Sequence, residues 1–250
     1  MRIARFHLDG QSRFGVIEDS SVRVLKDSPF DGIDFSGETI PLSNVKLLAP
    51  VEPSKIVCIG MNYAAHAAEI NQDVPDEPLM FFKPVSAILD PEGQVELPIQ
   101  SDQVELEVEL AVVIGRKAKN ISASEADKYI LGYTIGNDVT ARDLQFTDLQ
   151  WARAKGFDTF CPLGPWIETD FDPSHKHVVS RVSGEVRQSS MTSDMIFDVP
   201  TLVAFVSENL TLNPGDVILT GSPAGISRID HSDVVECEIE GIGILRNQVA

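Results

Sequence analysis

From Glu105 to Leu110 the chain alternates acid and aliphatic residues, and from Ala111 to Ile114 it turns fully apolar before Gly115. A period of two predicts a β-strand, with successive side chains on opposite faces. Glu105, Glu107 and Glu109 then share one face and Leu106, Val108 and Leu110 the other, same-face neighbours lying about 6.5–7 Å apart. Shorter alternations, at Ile3–Leu8 and Arg13–Glu18, flank an Asp9-Gly10 hairpin signal, and Val22–Leu25 predicts a third strand. Residues 1–48 therefore predict a small β-rich domain, joined through the proline-bounded stretch Ala49–Ser54 to a main domain over 49–250. In the main domain, Lys55–Ile59 and Leu79–Phe82 predict strands around a short helix at Asn62–Ile70 and a polar, proline-punctuated loop at 71–78. Ser122-Ala-Ser-Glu125 has the form of a capping box and predicts a helix running to about Leu131. Tyr133–Gly136 predicts a strand delivering Asn137-Asp138, Arg142–Ala154 a helical or irregular stretch, and Pro162–Pro165 a turn. A hairpin around Ser183-Gly184, an amphipathic helix over Pro200–Leu210, a buried strand at Val217–Thr220 and a final hairpin over Val234–Leu245 complete the pattern. Many strands with few short helices predict an α+β fold with a dominant β core.

Composition narrows the function. The 250 residues suffice for one large domain with a small appendage. Twenty basic against thirty-eight acidic residues give a net charge of −18, which argues against nucleic acid and anionic membrane as partners. An anionic substrate would need a local positive site to overcome that field. The three cysteines are far apart with no Cys-x-x-Cys spacing, so neither a zinc site nor a disulfide framework is expected. No signal peptide or membrane-length apolar run stands out, and a reducing cytoplasm is the default expectation.

Against that background the glutamate strand has two readings. It is either a half-exposed strand with a solvated acidic face, or part of a site for a hard divalent cation, since crowded carboxylates are costly to bury without positive charge. Asp138, at the end of a predicted strand, would add a third carboxylate to Glu107 and Glu109. His66 and Glu69 lie three apart on one helical face, an arrangement that orients an imidazole as a general base, although surface pairs of this kind are common. Lys155, before Gly156, could reach into a cleft. Thr220-Gly-Ser-Pro-Ala-Gly225 follows a strand but is neither a nucleophile elbow nor a phosphate loop, and Gly241-Ile-Gly243 carries no dinucleotide fingerprint.

Taken in order, several segments resemble the fumarylacetoacetate hydrolase family, in its branch of bacterial acylpyruvases and hydroxyhepta-diene-dioate isomerases. They are Lys55–Glu69, Pro78–Pro84, Glu107–Gly115, Gly132–Gln145, Lys155–Pro165, Asp216–Gly225 and Glu238–Gly243. The resemblance runs from about Ala49 to the C-terminus. It implies a mixed β-roll or sandwich catalytic domain behind the small N-terminal domain, usually paired as a homodimer. It also implies Mg²⁺ (or Mn²⁺ or Ca²⁺) on Glu107, Glu109 and Asp138, with Glu105 left as a neighbour. His66 and Glu69 then match a base on a lid, and Arg142, Gln145, Lys155 and Thr220 match positions expected to touch a small anionic keto-acid substrate. Met61, Ser183, Ser232 and Gln248 depart from the family's usual residues.

The resemblance implies a metal-dependent hydrolase of a C–C bond in a β-diketo acid such as an acylpyruvate, with His66 activating water and Lys155 stabilising developing oxyanions. Isomerisation of a hydroxymuconate-type diene-dioate and decarboxylation of oxaloacetate use the same enolate. Outside enzymes stands a metal-binding, non-catalytic protein, to which His66 and Lys155 would be superfluous.

Overall fold

The computed structural model describes all 250 residues. Its backbone is a twelve-stranded sheet with two smaller sheets packed about it. The main path of the large sheet runs Phe35–Pro41, Ser21–Leu25, Gln11–Glu18, Arg2–Leu8, Cys161–Glu168, Ile130–Asn137, Val108–Ile114, Val217–Leu219, Ile56–Gly60 and Leu79–Lys83. Five strands, from Glu185–Met191 through His177–Val182, Val234–Ile239 and Gly243–Val249 to Gln94–Val95, form the second sheet. Thr140–Ala141, Val104–Leu106 and Ser227–Arg228 form the third. Helices are few and short, and none is long and apolar enough to cross a membrane. The longest, Val199–Asn209, starts on Asp198, whose carboxylate accepts the Thr201 N–H at 3.0 Å, and has Pro200 in its first turn.

The N-terminal strands are continuous with the large sheet. Arg2–Leu8 pairs with Gln11–Glu18 and also with Cys161–Glu168 through Arg2↔Glu168 and Ile3↔Ile167. Ile3 is buried in the main core, whereas Ala4, Phe6, Ile17, Val22, Val24 and Ile40 form a small core of their own. The N-terminal unit thus has its own apolar centre but shares a strand boundary with the rest. One of its strands, Phe35–Pro41, is mostly exposed and lacks the alternation by which a strand is recognised in sequence.

Three expectations need correction. The capping-box stretch forms only a 3₁₀ turn over Ala123–Lys128. Ser122 Oγ bonds Glu125 Oε2 at 3.1 Å instead of the backbone, and Ile130 and Leu131 belong to the strand Ile130–Asn137. Pro162 and Pro165 sit inside the strand Cys161–Glu168 instead of a turn. Pro165 is tolerated because the pairing with Ile130–Asn137 shifts register: Tyr133 faces Glu168 and Ile135 faces Gly164, leaving Pro165 out of that ladder. Pro162 lies at the start of the strand in a two-residue parallel pairing, opposite Leu89. Finally, the glutamate run is not one half-exposed strand. It breaks at Glu107 into Val104–Leu106, in the three-stranded sheet, and Val108–Ile114, central in the large one, and every residue from 104 to 114 is buried.

Candidate active site

The break at Glu107 places the site. Val108–Ile114 runs antiparallel to Ile130–Asn137 (Val108↔Asn137) and to Val217–Leu219 (Ala111↔Leu219), and the latter is parallel to Ile56–Gly60. The beginning of the first strand therefore meets the ends of the other three. Glu107, Asp138, the loop after Leu219 and Met61 all collect at that edge. The turn is fastened through the backbone: Asn137 Oδ1 accepts the Glu107 N–H at 2.9 Å, and the Asp138 N–H donates to Glu107 O at 2.9 Å. Met61 has φ +55° where the chain leaves its strand. It is followed by buried Asn62, whose side chain accepts the Phe197 N–H at 2.8 Å and donates to Thr220 O at 2.7 Å.

Glu107, Glu109 and Asp138 are all buried, and their nearest ligand oxygens lie within 4.8 Å of one another. Three cations share the space. Lys155 Nζ lies 2.9 Å from Glu107 Oε2 and also bonds Asp138 Oδ2. Lys83 Nζ lies 2.5 Å from Asp138 Oδ1 and 3.0 Å from Val139 O. Arg142 donates from Nε to Glu105 at 2.7 Å and from its terminal nitrogens to Glu107 and Gln145. Glu105 is accordingly buried and paired, held also by Gln103 Nε2 at 2.6 Å, and is not a solvated neighbour.

These charges divide the carboxylates. Burial alone would raise Glu107, but Lys155 and Arg142 outweigh it and hold its carboxyl far below the usual range. Glu109 faces burial together with the charges of Asp138 and Glu107, and its carboxyl is driven well above the usual range. Its one hydrogen bond is from the Gly221 N–H, at 2.7 Å. Despite burial, Asp138 and Glu107 keep the Lys155 ammonium charged, as Glu107 and Glu105 do for Arg142.

Four buried carboxylates thus face three buried cations. The all-oxygen donor set, the crowding at Glu109 and the single excess negative charge fit a hard divalent ion on Glu107, Glu109 and Asp138. Such an ion would turn the excess into one positive charge, the local field that an anionic substrate needs on so acidic a protein.

The cleft above these groups is lined on its polar side also by His66, Gln145 and Ser222. Its apolar side is Ile59, Met61, Ile70, Phe81 and Trp151. Phe81 and Trp151 pack edge to face at 5.2 Å, and Lys155 Nζ stands 5.0 Å from the centre of the Phe81 ring. His66 lies on the short helix Ala64–Glu69, its Nδ1 3.3 Å from Glu69 Oε2, and Glu69 Oε1 accepts the Gly225 N–H at 3.0 Å.

Eight of the nine residues singled out in sequence meet here: His66, Arg142, Gln145, Lys155 and the triad line the cleft, and Glu69 backs His66. The side chain of Thr220 does not enter it: its buried hydroxyl donates to Leu110 O at 2.9 Å. The next residues, Gly221 and Ser222, face the site instead. Lys83, Asn62 and Asn137 fall inside the resembling segments, but the sequence pattern assigns them no role. Lys83 could have been found by its spacing, two residues beyond Phe81 on the same strand.

A family model for the fumarylacetoacetate (FAA) hydrolase C-terminal domain matches residues 55–250, and one described as Rv2993c-like, N-terminal, matches residues 1–50. The chain belongs to the fumarylacetoacetate hydrolase family and has its β-dominated fold. Protein Rv2993c of Mycobacterium tuberculosis is 47% identical over 250 residues, spanning 99% of this chain and 94% of that protein. The mitochondrial oxaloacetate tautomerase FAHD2A of Homo sapiens is 47% identical over 223 residues, spanning 84% of this chain and 71% of the human one. The crystal structure of 5-carboxymethyl-2-hydroxymuconate delta-isomerase from Mycobacterium smegmatis superposes with a TM-score of 0.94 at 47% identity, covering 100% of this chain and 99% of its own.

Proposed function

We propose that this protein is a divalent-metal-dependent enzyme that moves a proton between carbon and oxygen of a small 2-oxo acid, interconverting enol and keto forms or isomerising the adjoining double bond. The observation that carries this reading is the juxtaposition, in one cleft, of the buried Glu107, Glu109 and Asp138 with Lys155 and the His66–Glu69 pair. The chemistry a bound Mg²⁺, Mn²⁺ or Ca²⁺ supplies here is Lewis-acid polarisation of the 2-oxo group, which acidifies the neighbouring C–H.

Glu69 engages Nδ1 of His66 and leaves Nε2 to take or return the proton at that carbon. Lys155 carries a proton beside the oxygen on which the enolate charge gathers. Phe81, Trp151, Met61 and Ile70 keep bulk water from the carbanionic carbon. The relatives at 47% identity named as a tautomerase and a delta-isomerase support proton transfer as the core step. A second reading, hydrolysis of a C–C bond in an acylpyruvate-like acid, is favoured by the same dyad, since an imidazole backed by a carboxylate also suits water activation. A homodimer in the cytoplasm remains part of the proposal.

The test is an ultraviolet assay of enol-oxaloacetate, hydroxymuconates and acylpyruvates, with Mg²⁺ or Mn²⁺ present and again after chelation. Enol absorbance should decay faster with metal, revert to the uncatalysed rate after chelation and recover when metal returns. His66→Ala should lower kcat about 10²–10⁴-fold. Release of pyruvate from an acylpyruvate, read by a coupled assay, separates hydrolysis from isomerisation, whereas pyruvate from oxaloacetate reports decarboxylation. Should no member of the panel be consumed with any metal, the enzyme reading falls and the metal-binding, non-catalytic one takes its place.

A further inference from the structure

The strand Glu185–Met191 forms the edge of the five-stranded sheet, and only one of its seven residues is buried. That residue is Gln188, with no exposed surface at all. A β-bulge falls beside it: Ser180 pairs with Gln188, and the register shifts between Ser180 and Arg181. Bulges re-aim side chains, and this one turns an amide inward from an otherwise solvated strand.

Every hydrogen-bonding position of that amide is taken. Oε1 accepts the Val108 N–H at 3.0 Å and the Ser180 hydroxyl at 2.9 Å. Nε2 donates to Ser222 Oγ at 2.7 Å and to Pro223 O at 2.7 Å. A backbone N–H on one side and a backbone carbonyl on the other admit a single orientation of the amide. Val108 lies between Glu107 and Glu109. Ser222 and Pro223 belong to the loop whose Gly221 N–H binds Glu109 and whose Gly225 N–H binds Glu69, the partner of His66. Because Ser222 Oγ accepts from Gln188, its own proton is left to point elsewhere, and Ser222 lines the cleft.

We propose that Gln188 is a positioning residue that joins the carboxylate floor of the cleft to the loop and helix carrying its base, and that fixes the Ser222 hydroxyl as a donor toward the bound acid. The kinetic consequences rest on the function proposed above; the structural coupling does not.

The test uses the full-length, metal-loaded protein with Gln188→Glu, Ser222→Ala and the double variant. A carboxylate at this site still accepts from Val108 and Ser180 but loses both donors, and it captures the Ser222 proton. Gln188→Glu should therefore bind Mn²⁺ within about threefold of the parent while kcat falls about tenfold, with a smaller change in KM. Its activity should recover toward acid pH, as protonation returns one donor, a limb that the parent lacks. Ser222→Ala added to Gln188→Glu should lower kcat no further. Hydrogen exchange should quicken together in residues 64–69 and 220–225.

Additive kinetic losses, or kcat within about twofold of the parent, would overturn the proposal. So would exchange that quickens in the 220–225 loop but not in the 64–69 helix. If the parent turns over no 2-oxo acid, the function proposed above fails by itself, and the exchange experiment still decides the role of Gln188.

Discussion

At the scale of single residues, Glu109 is where the charge of the site is out of balance. Its neighbours Glu107 and Asp138 each have a lysine, while Glu109 has a backbone N–H and two like charges. A carboxyl raised in this way favours folding when protonated. The stability it contributes is fully present below the ordinary glutamate value of about 4.3 and is lost as pH rises through its raised folded value. Glu107 has the opposite sign: its contribution stands above the ordinary value and is lost only as pH falls through its lowered one. Between neutrality and about pH 5 the Glu109 effect therefore acts alone of the two. In chelator, the parent protein should melt higher at about pH 5.5 than at about 7.5, and Glu109→Gln should flatten that slope by melting higher than the parent at the neutral end. Mg²⁺ should reverse the order at neutral pH, stabilising the parent by mass action and the variant little. Thermal melts across pH, with and without metal, check both halves. A variant that melts like the parent in chelator, or gains as much from Mg²⁺, sinks this account of the site's charge.

At the scale of elements, the decisive event is the change of sheet between Leu106 and Val108, held by Asn137 Oδ1 on the Glu107 N–H. Asn137→Ala strands that buried N–H and should cost about 1–3 kcal/mol of stability. Mg²⁺ affinity should fall with it, because the turn sets the spacing of Glu107 and Asp138. Denaturant melts and a calorimetric titration test the two effects, and intact metal binding in a destabilised variant would show that the turn does not govern ligand placement. Period-two alternation puts Glu105, Glu107 and Glu109 on one face, and strand-end placement and helical spacing single out Asp138 and the His66–Glu69 pair. The resemblance narrows the glutamates to Glu107 and Glu109 and gives His66 and Lys155 their roles. What alternation cannot show is that Glu105 and Glu109 lie in different sheets, since a strand that changes sheet keeps its period. Nor can it show the partners that make burial tolerable. Lys83 reaches Asp138 from 55 residues away, and Gln188 reaches Val108 from 80. The Ser122–Glu125 signature failed for a related reason: the following residues, Ile130 and Leu131, gain more in the central sheet than in a short helix.

At the scale of the whole molecule, the strand and turn pattern of residues 1–48 predicts a small domain of its own, and a separate family model matches residues 1–50. Its energetic independence is another matter. Arg2 and Ile3 extend the large sheet from Glu168 and Ile167, Ile3 is buried in the main core, and the terminal amino group pairs with Glu168 at 2.6 Å. Removing residues 1–50 would uncover one side of the Cys161–Glu168 strand, next to the strand that delivers Asp138. It would also leave Ile167 and Trp166, the latter packed against both cores, facing water. An uncovered edge beside apolar side chains invites pairing between chains. The truncated protein should thus melt several degrees lower than the full chain and self-associate on a sizing column, while any monomeric fraction keeps its Mg²⁺ affinity, since no residue of the first 50 lines the cleft. Adding the separately produced segment 1–50 should restore part of the lost stability if the strand pairing is what matters. A truncated chain that stays monomeric and melts with the parent would instead make the N-terminal unit an independent module, coupled to the catalytic sheet in sequence but not in energy.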